Sequence, residues 1–312
     1  MSRLRALQLA LSFSVGLLGA NCSERIEVGR DLPAASAAAA GAAIAAGAGG
    51  LSSSTGGVAG PNGGTGGAAV HTCQVTACQG KVYQCGNCLD DDGDQLLDSD
   101  DPDCTGPCDN TEDSYFGGIP GQNNAPCRED CYFDQDTGAG NDHCYWDQEC
   151  DPLAVAPTYP PSGDARCSYS PGATVPGSGS TCEELSATQA SACLSYCLPI
   201  TPNGCDCFGC CELPADSGNF VWIGAAQQNV GTCDAAHVAD PSACPPCTRV
   251  ESCFNACSAC EVCVGRSAPA AGCTTPGADR CLAGAAACGQ PGEADCPMGY
   301  YCVTGCCEAA PR

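Results

Sequence analysis

The chain has 312 residues, 33 of them cysteine, with 40 glycines, 23 prolines and only 5% aromatics. So many cysteines beside so few large apolar side chains exclude one large apolar core and mark a disulfide scaffold. A net charge of −25 excludes nucleic acid and anionic membrane surfaces as electrostatic partners.

Residues 1–21 read as a signal peptide: Arg3 and Arg5, an apolar run from Ala6 to Leu18, then small residues. Residues 22–72 follow as an Ala/Gly/Ser-rich stretch with no charge after Asp31, the composition of a disordered tether. Cys22 stands alone at its start. The stretch LGANC resembles the lipobox of bacterial lipoproteins, which implies a lipidated Cys22 at the new N-terminus. It departs from that pattern at Gly19 and Asn21, and ordinary cleavage after Ala20 is the alternative. Either outcome implies an extracytoplasmic protein, secreted or held at the cell surface or outer membrane. The membrane enters only through a lipid anchor.

From Cys73 onward cysteines recur to the end. Residues 73–150 form an acidic cysteine-rich region, 151–166 a Pro-rich linker without cysteine, and 167–312 a second cysteine-rich region. Even cysteine counts on the two sides of the linker predict separately stapled domains, with bridges across it as the alternative. The six cysteines from Cys281 to Cys307 outline a small module of their own. Turns dominate the rest, so the fold class is a small disulfide-rich architecture with a few short helices and strands. Thr181 and Glu184 form a capping-box pattern ahead of a helix over 180–199, closed by Pro199. Residues 248–265 repeat the apolar spacing through Val250, Cys253, Cys257, Cys260 and Val264, predicting a second helix. The stretch NFVWIG (219–224) predicts a strand.

The segment NCLDDDGDQLLDSDDPDC (87–104) concentrates the chemistry. On a calcium-loop template, positions 1, 3 and 5 fall on Asp90, Asp92 and Asp94. The position-7 carbonyl falls on Leu96, position 9 on Asp98 and position 12 on Asp101. Calcium takes six to eight hard oxygens, which alternate residues of a tight loop supply. Gln95 stands at position 6, where a left-handed turn calls for glycine, and Asp101 is shorter than the usual glutamate. A solvated acidic loop pinned by disulfides is the alternative. The segment resembles the Asp-rich calcium repeats of dockerins and thrombospondin type 3 modules. It also resembles the DDDGD stretches of cysteine-rich secreted proteins and lipoproteins of myxobacterial type. The first resemblance implies a structural Ca²⁺; the second implies export, and no established activity comes with it. Asp134, Asp136 and Asp142 in DQDTGAGND form a secondary metal candidate.

CDCFGCC (205–211) suits either disulfides or a thiolate cluster for Zn or Cu(I); an oxidising compartment favours disulfides. The pairs Cys85/Cys88 and Cys244/Cys247 have redox spacing without the βαβ context that redox chemistry uses. The chain has three histidines and no zincin, nucleophile-elbow or phosphate-loop motif, so no catalytic residue is assigned. The expectation is an exported structural or interaction protein whose partner is a protein or glycan at the cell surface. A thiolate metal-sequestering protein is the rival, and an extracellular enzyme comes third.

Overall fold

The computed structural model describes residues 73–118, 127–135, 142–153, 165–228, 230–266, 281, 284–290 and 292–312. The signal peptide, the tether, Cys22, Asp136 and most of the Pro-rich stretch lie outside the described residues.

Every cysteine among them is disulfide-bonded, and fifteen bridges join described residues to one another. They fall into consecutive blocks along the chain. Cys73–Cys88, Cys78–Cys108 and Cys85–Cys104 close residues 73–108. Cys127–Cys167, Cys131–Cys197, Cys144–Cys193 and Cys150–Cys182 close 127–197. Cys205–Cys211, Cys207–Cys253, Cys210–Cys247 and Cys233–Cys244 close 205–253. Cys257–Cys263 follows. Cys281–Cys306, Cys288–Cys302 and Cys296–Cys307 then close the C-terminal six-cysteine module on itself.

This corrects the expected boundary. Four bridges span 151–166, so that stretch lies inside the second block and does not separate two stapled domains. The described residues fall in one compact unit. Two even counts are also what four bridges across the stretch leave behind, so parity could not tell the two cases apart.

Regular structure is sparse, as composition demands. Four two-stranded antiparallel ladders are described: β1 (Arg128–Glu129) with β2 (Trp146–Asp147), β3 (Cys210–Glu212) with β4 (Phe220–Trp222), β5 (Ala226–Gln227) with β6 (Val230–Gly231), and β7 (Tyr300–Val303) with β8 (Cys306–Ala309). The strand expected in 219–224 is β4, registered with Cys210 opposite Trp222.

The helix expected over 180–199 is split in two, α1 (Cys182–Ala187) and α2 (Ser191–Tyr196). Its capping box is present, with Thr181 Oγ1 accepting from Glu184 N and the Glu184 carboxylate accepting from Thr181 N. Thr188 is extended, and the next residue, Gln189, is buried. Its side-chain Nε2 donates to the carbonyls of Tyr145 and Leu185, and its Oε1 accepts from Tyr145 N. These bonds to a neighbouring segment anchor the chain at the break between the helices.

No α-helix forms over 248–265; only a 3-10 turn at Glu251–Cys253 is present. The reason is covalent. Cys257 and Cys263 are bridged with Cα atoms 6.0 Å apart. Six residues of α-helix rise roughly 9 Å, beyond the roughly 6.8 Å a disulfide spans.

Two large apolar clusters serve as core, and half-cystines make up a substantial part of each. One gathers Tyr115, Tyr132, Phe133, Leu213, Trp222 and Ile223; the other gathers Trp146, Val175, Leu185, Phe208 and Val250. Each draws on both 127–197 and 205–253. The two blocks therefore share apolar interior, although no disulfide among the described residues joins them.

Candidate cation site in the acidic loop

The Cys73–Cys88 and Cys85–Cys104 bridges hold both ends of the aspartate segment. Between them the loop is built on its own carboxylates. Asp90 Oδ1 accepts from Gly93 N at 2.6 Å and Oδ2 from Gln95 N at 3.2 Å. Asp92 Oδ1 accepts from Asp94 N at 3.0 Å, and Asp94 Oδ1 from Leu96 N at 2.7 Å. Each is a local side-chain turn that aspartate favours.

The chain makes the left-handed turn the template requires at position 6 with a non-glycine residue, since Gln95 has φ 81°. A left-handed residue bearing a Cβ costs about 1–2 kcal/mol, so the surrounding hydrogen bonds hold a strained turn in place.

The six template residues do not share one environment. Asp90, Asp92, Asp94 and Leu96 are exposed, whereas Asp98 and Asp101 are buried. The Asp98 carboxylate turns back to the Cys88 amide, which donates at 3.1 Å to Oδ2 and 3.2 Å to Oδ1. Its charged neighbours are Glu112 and Asp91. Asp101 Oδ1 accepts from Asp103 N at 2.8 Å, while its Oδ2 is buried with no hydrogen-bond partner. Asp101 feels the charges of Asp103, Asp94 and Asp92.

Burial raises the pKa of Asp101 to about 7, and repulsion from those carboxylates adds to it. Asp98 and Asp103 are raised to about 6, again chiefly by desolvation. Asp101 and Asp103 thus share Asp92 and Asp94 as charged neighbours, whereas Asp98 has Glu112 and Asp91.

Two residues outside the template complete the support. Glu112, almost fully buried, accepts from Asp91 N at 2.6 Å and Asp98 N at 3.1 Å. One of its carboxylate oxygens also lies within 4.8 Å of one from Asp101. Asp109, 1% exposed, accepts from Thr105 N, Thr105 Oγ1 and Thr111 N. Position-by-position matching to a twelve-residue loop stops at Asp101 and has no place for Asp103, Asp109 or Glu112. The signal available was only that all three are acidic and close by in sequence.

Of the secondary set, Asp134 and Asp142 are fully buried, and their carboxylate oxygens lie within 4.8 Å of each other, near the Cys131 sulfur. That sulfur is bridged to Cys197 and offers no thiolate. The same holds for CDCFGCC, whose four cysteines all sit in disulfides. Nor do the two redox-spaced pairs close on themselves. Cys85 bonds Cys104 and Cys88 bonds Cys73; Cys244 bonds Cys233 and Cys247 bonds Cys210. In the last module Tyr301 is buried and Tyr300 is exposed, so the pair divides between core and surface.

No protein-family model, curated protein or solved structure matches the chain.

Proposed function

We propose that this is an exported structural or interaction protein, displayed on its N-terminal tether, whose acidic loop carries a structural calcium ion. Its partner is a protein or glycan at the cell surface. The disulfide content is that of an extracytoplasmic, covalently stabilised protein. The observation that carries the calcium reading is the pairing of a left-handed Gln95 with the unpartnered, buried Oδ2 of Asp101. The loop holds the turn a calcium loop needs, and one of its carboxylate oxygens is desolvated with nothing to bond. Asp92, Asp94 and the Leu96 carbonyl would supply the remaining hard oxygens. Asp90 acts mainly by fixing the turn.

The expected affinity is that of extracellular modules, about 10⁻⁴–10⁻³ M. The test is thermal melting with chelator and with calcium. Calcium should raise the melting temperature of the native protein, and Asp90→Asn with Asp94→Asn should make that rise measurably smaller. No rise at several millimolar calcium defeats the calcium reading. Intact-mass measurement of the native mature chain tests the tether, through a lipid adduct on Cys22. Thiol titration near zero is expected, because the described cysteines are all bridged.

A further inference from the structure

Far from the acidic loop in sequence, a small cavity of about 20 Å³ lies where the 127–197 and 205–253 blocks meet. Glu129, Gln148 and Asp151 line it from one block, Asp206 and Thr248 from the other, with Trp146 and Trp222 as aromatic walls. A space of that size takes one water-sized guest. No lysine, arginine or histidine lines it.

The acidic side chains are anchored. Asp206, fully buried, accepts from Phe208 N and Cys210 N on Oδ1 and from Val250 N on Oδ2. Asp151 accepts from Leu153 N on Oδ1 and from Thr248 N on Oδ2. A carboxylate offers about four lone pairs, so each keeps at least one after these bonds. Gln148 is 3% exposed, and its Oε1 has no hydrogen-bond partner. Its side chain bonds Glu129, and Oε1 is left over. An unbonded buried amide oxygen costs about 1–3 kcal/mol. Three buried carboxylates without a cationic partner cost more.

We propose that this cavity is a second calcium site, in which Glu129, Gln148 Oε1, Asp151 and Asp206 bind one divalent cation and join two blocks that no described disulfide connects. The donor set is all oxygen and hard, which suits calcium and disfavours soft metals. The two cysteines at its edge, Cys210 and Cys247, are bonded to each other. Desolvation, followed by repulsion from the neighbouring acids, holds Glu129 well above the usual carboxylate range and Asp206 at about 7. A bound cation would compete with protons for these groups.

Trp146 and Trp222 are the chain's two tryptophans, and both line the cavity. Terbium, a calcium-sized probe excited through tryptophan, therefore reads this site through two adjacent donors. In the native full-length protein, tryptophan-sensitised terbium emission should appear and be quenched by calcium. Glu129→Gln should weaken terbium binding about tenfold or more. Asp90→Asn with Asp94→Asn should leave it within roughly twofold. Native mass spectrometry of that loop variant should still count one calcium per chain. Absence of sensitised emission, equal emission in Glu129→Gln, or no calcium retained by the loop variant would each overturn the proposal. Because the mass readout uses a protein with an intact cavity, it decides the matter even if Glu129→Gln fails to fold.

Discussion

The acidic loop at 90–103 and the carboxylate cluster at Glu129, Asp151 and Asp206 use the same chemistry in opposite ways. In the loop, Asp90, Asp92 and Asp94 face water and accept from amides two to five residues away. In the cluster, the carboxylates are buried, and Asp206 takes amides from segments as far away as Val250. The loop is acidic because solvent carries its charge. The cluster is acidic although solvent cannot reach it. Density of aspartate along the chain is therefore a poor guide to where charge is held under tension; burial and the reach of the hydrogen bonds are better ones.

The comparison can be broken most easily at Asp206. Asp206→Ala strands three backbone amides in the interior, each worth about 1–3 kcal/mol. Chemical unfolding with disulfides intact should show a loss of about 3 kcal/mol or more. A loss under 1 kcal/mol would mean the junction relaxes freely and the cluster resembles the loop after all.

A pH series comes next in size. Burial raises Asp206, Asp109 and Asp101 to about 7 from the ordinary aspartate value of 3.8. The folded protein therefore holds protons between these limits that the unfolded chain has released. The stability these groups contribute is complete below about pH 4 and is lost as pH rises through about 7. In chelator, the melting temperature should fall between about pH 5 and about pH 7.5, and added calcium should flatten the profile. A flat profile in chelator would mean that the buried carboxylates of loop and cluster alike are not held protonated.

Gln95→Gly sharpens the loop side. Relieving a left-handed side chain should stabilise the protein by about 1 kcal/mol or less, read as a higher unfolding midpoint. Asp94→Asn in chelator is expected to have the smallest effect, under about 0.5 kcal/mol, because the side chain is exposed and asparagine keeps an acceptor for Leu96 N.

Local features were legible in the sequence because their causes are local. The Thr181–Glu184 capping box, the strand at Phe220–Trp222 and the self-closed Cys281–Cys307 module each depend on residues within about one turn or one short module. What was not legible depends on partners. The helix over 248–265 had the right apolar spacing but was forbidden by a Cys257–Cys263 bridge that spacing does not announce. The boundary at 151–166 rested on parity, which is blind to pairing. Glu129, the Gln148–Asp151 turn and Asp206 come from three separate stretches, and nothing in any one of them marks a common cavity.

The order of the disulfide blocks has a consequence for how the protein is made. Among the described residues each block closes before the next begins, so a chain emerging N-terminus first never has to keep an early cysteine waiting for a distant late one. A six-cysteine block offers 15 ways to pair and an eight-cysteine block 105, and these short searches replace one search over the whole set. Oxidation can then advance along the nascent chain in instalments, each leaving a knot that later cysteines have no thiol to enter.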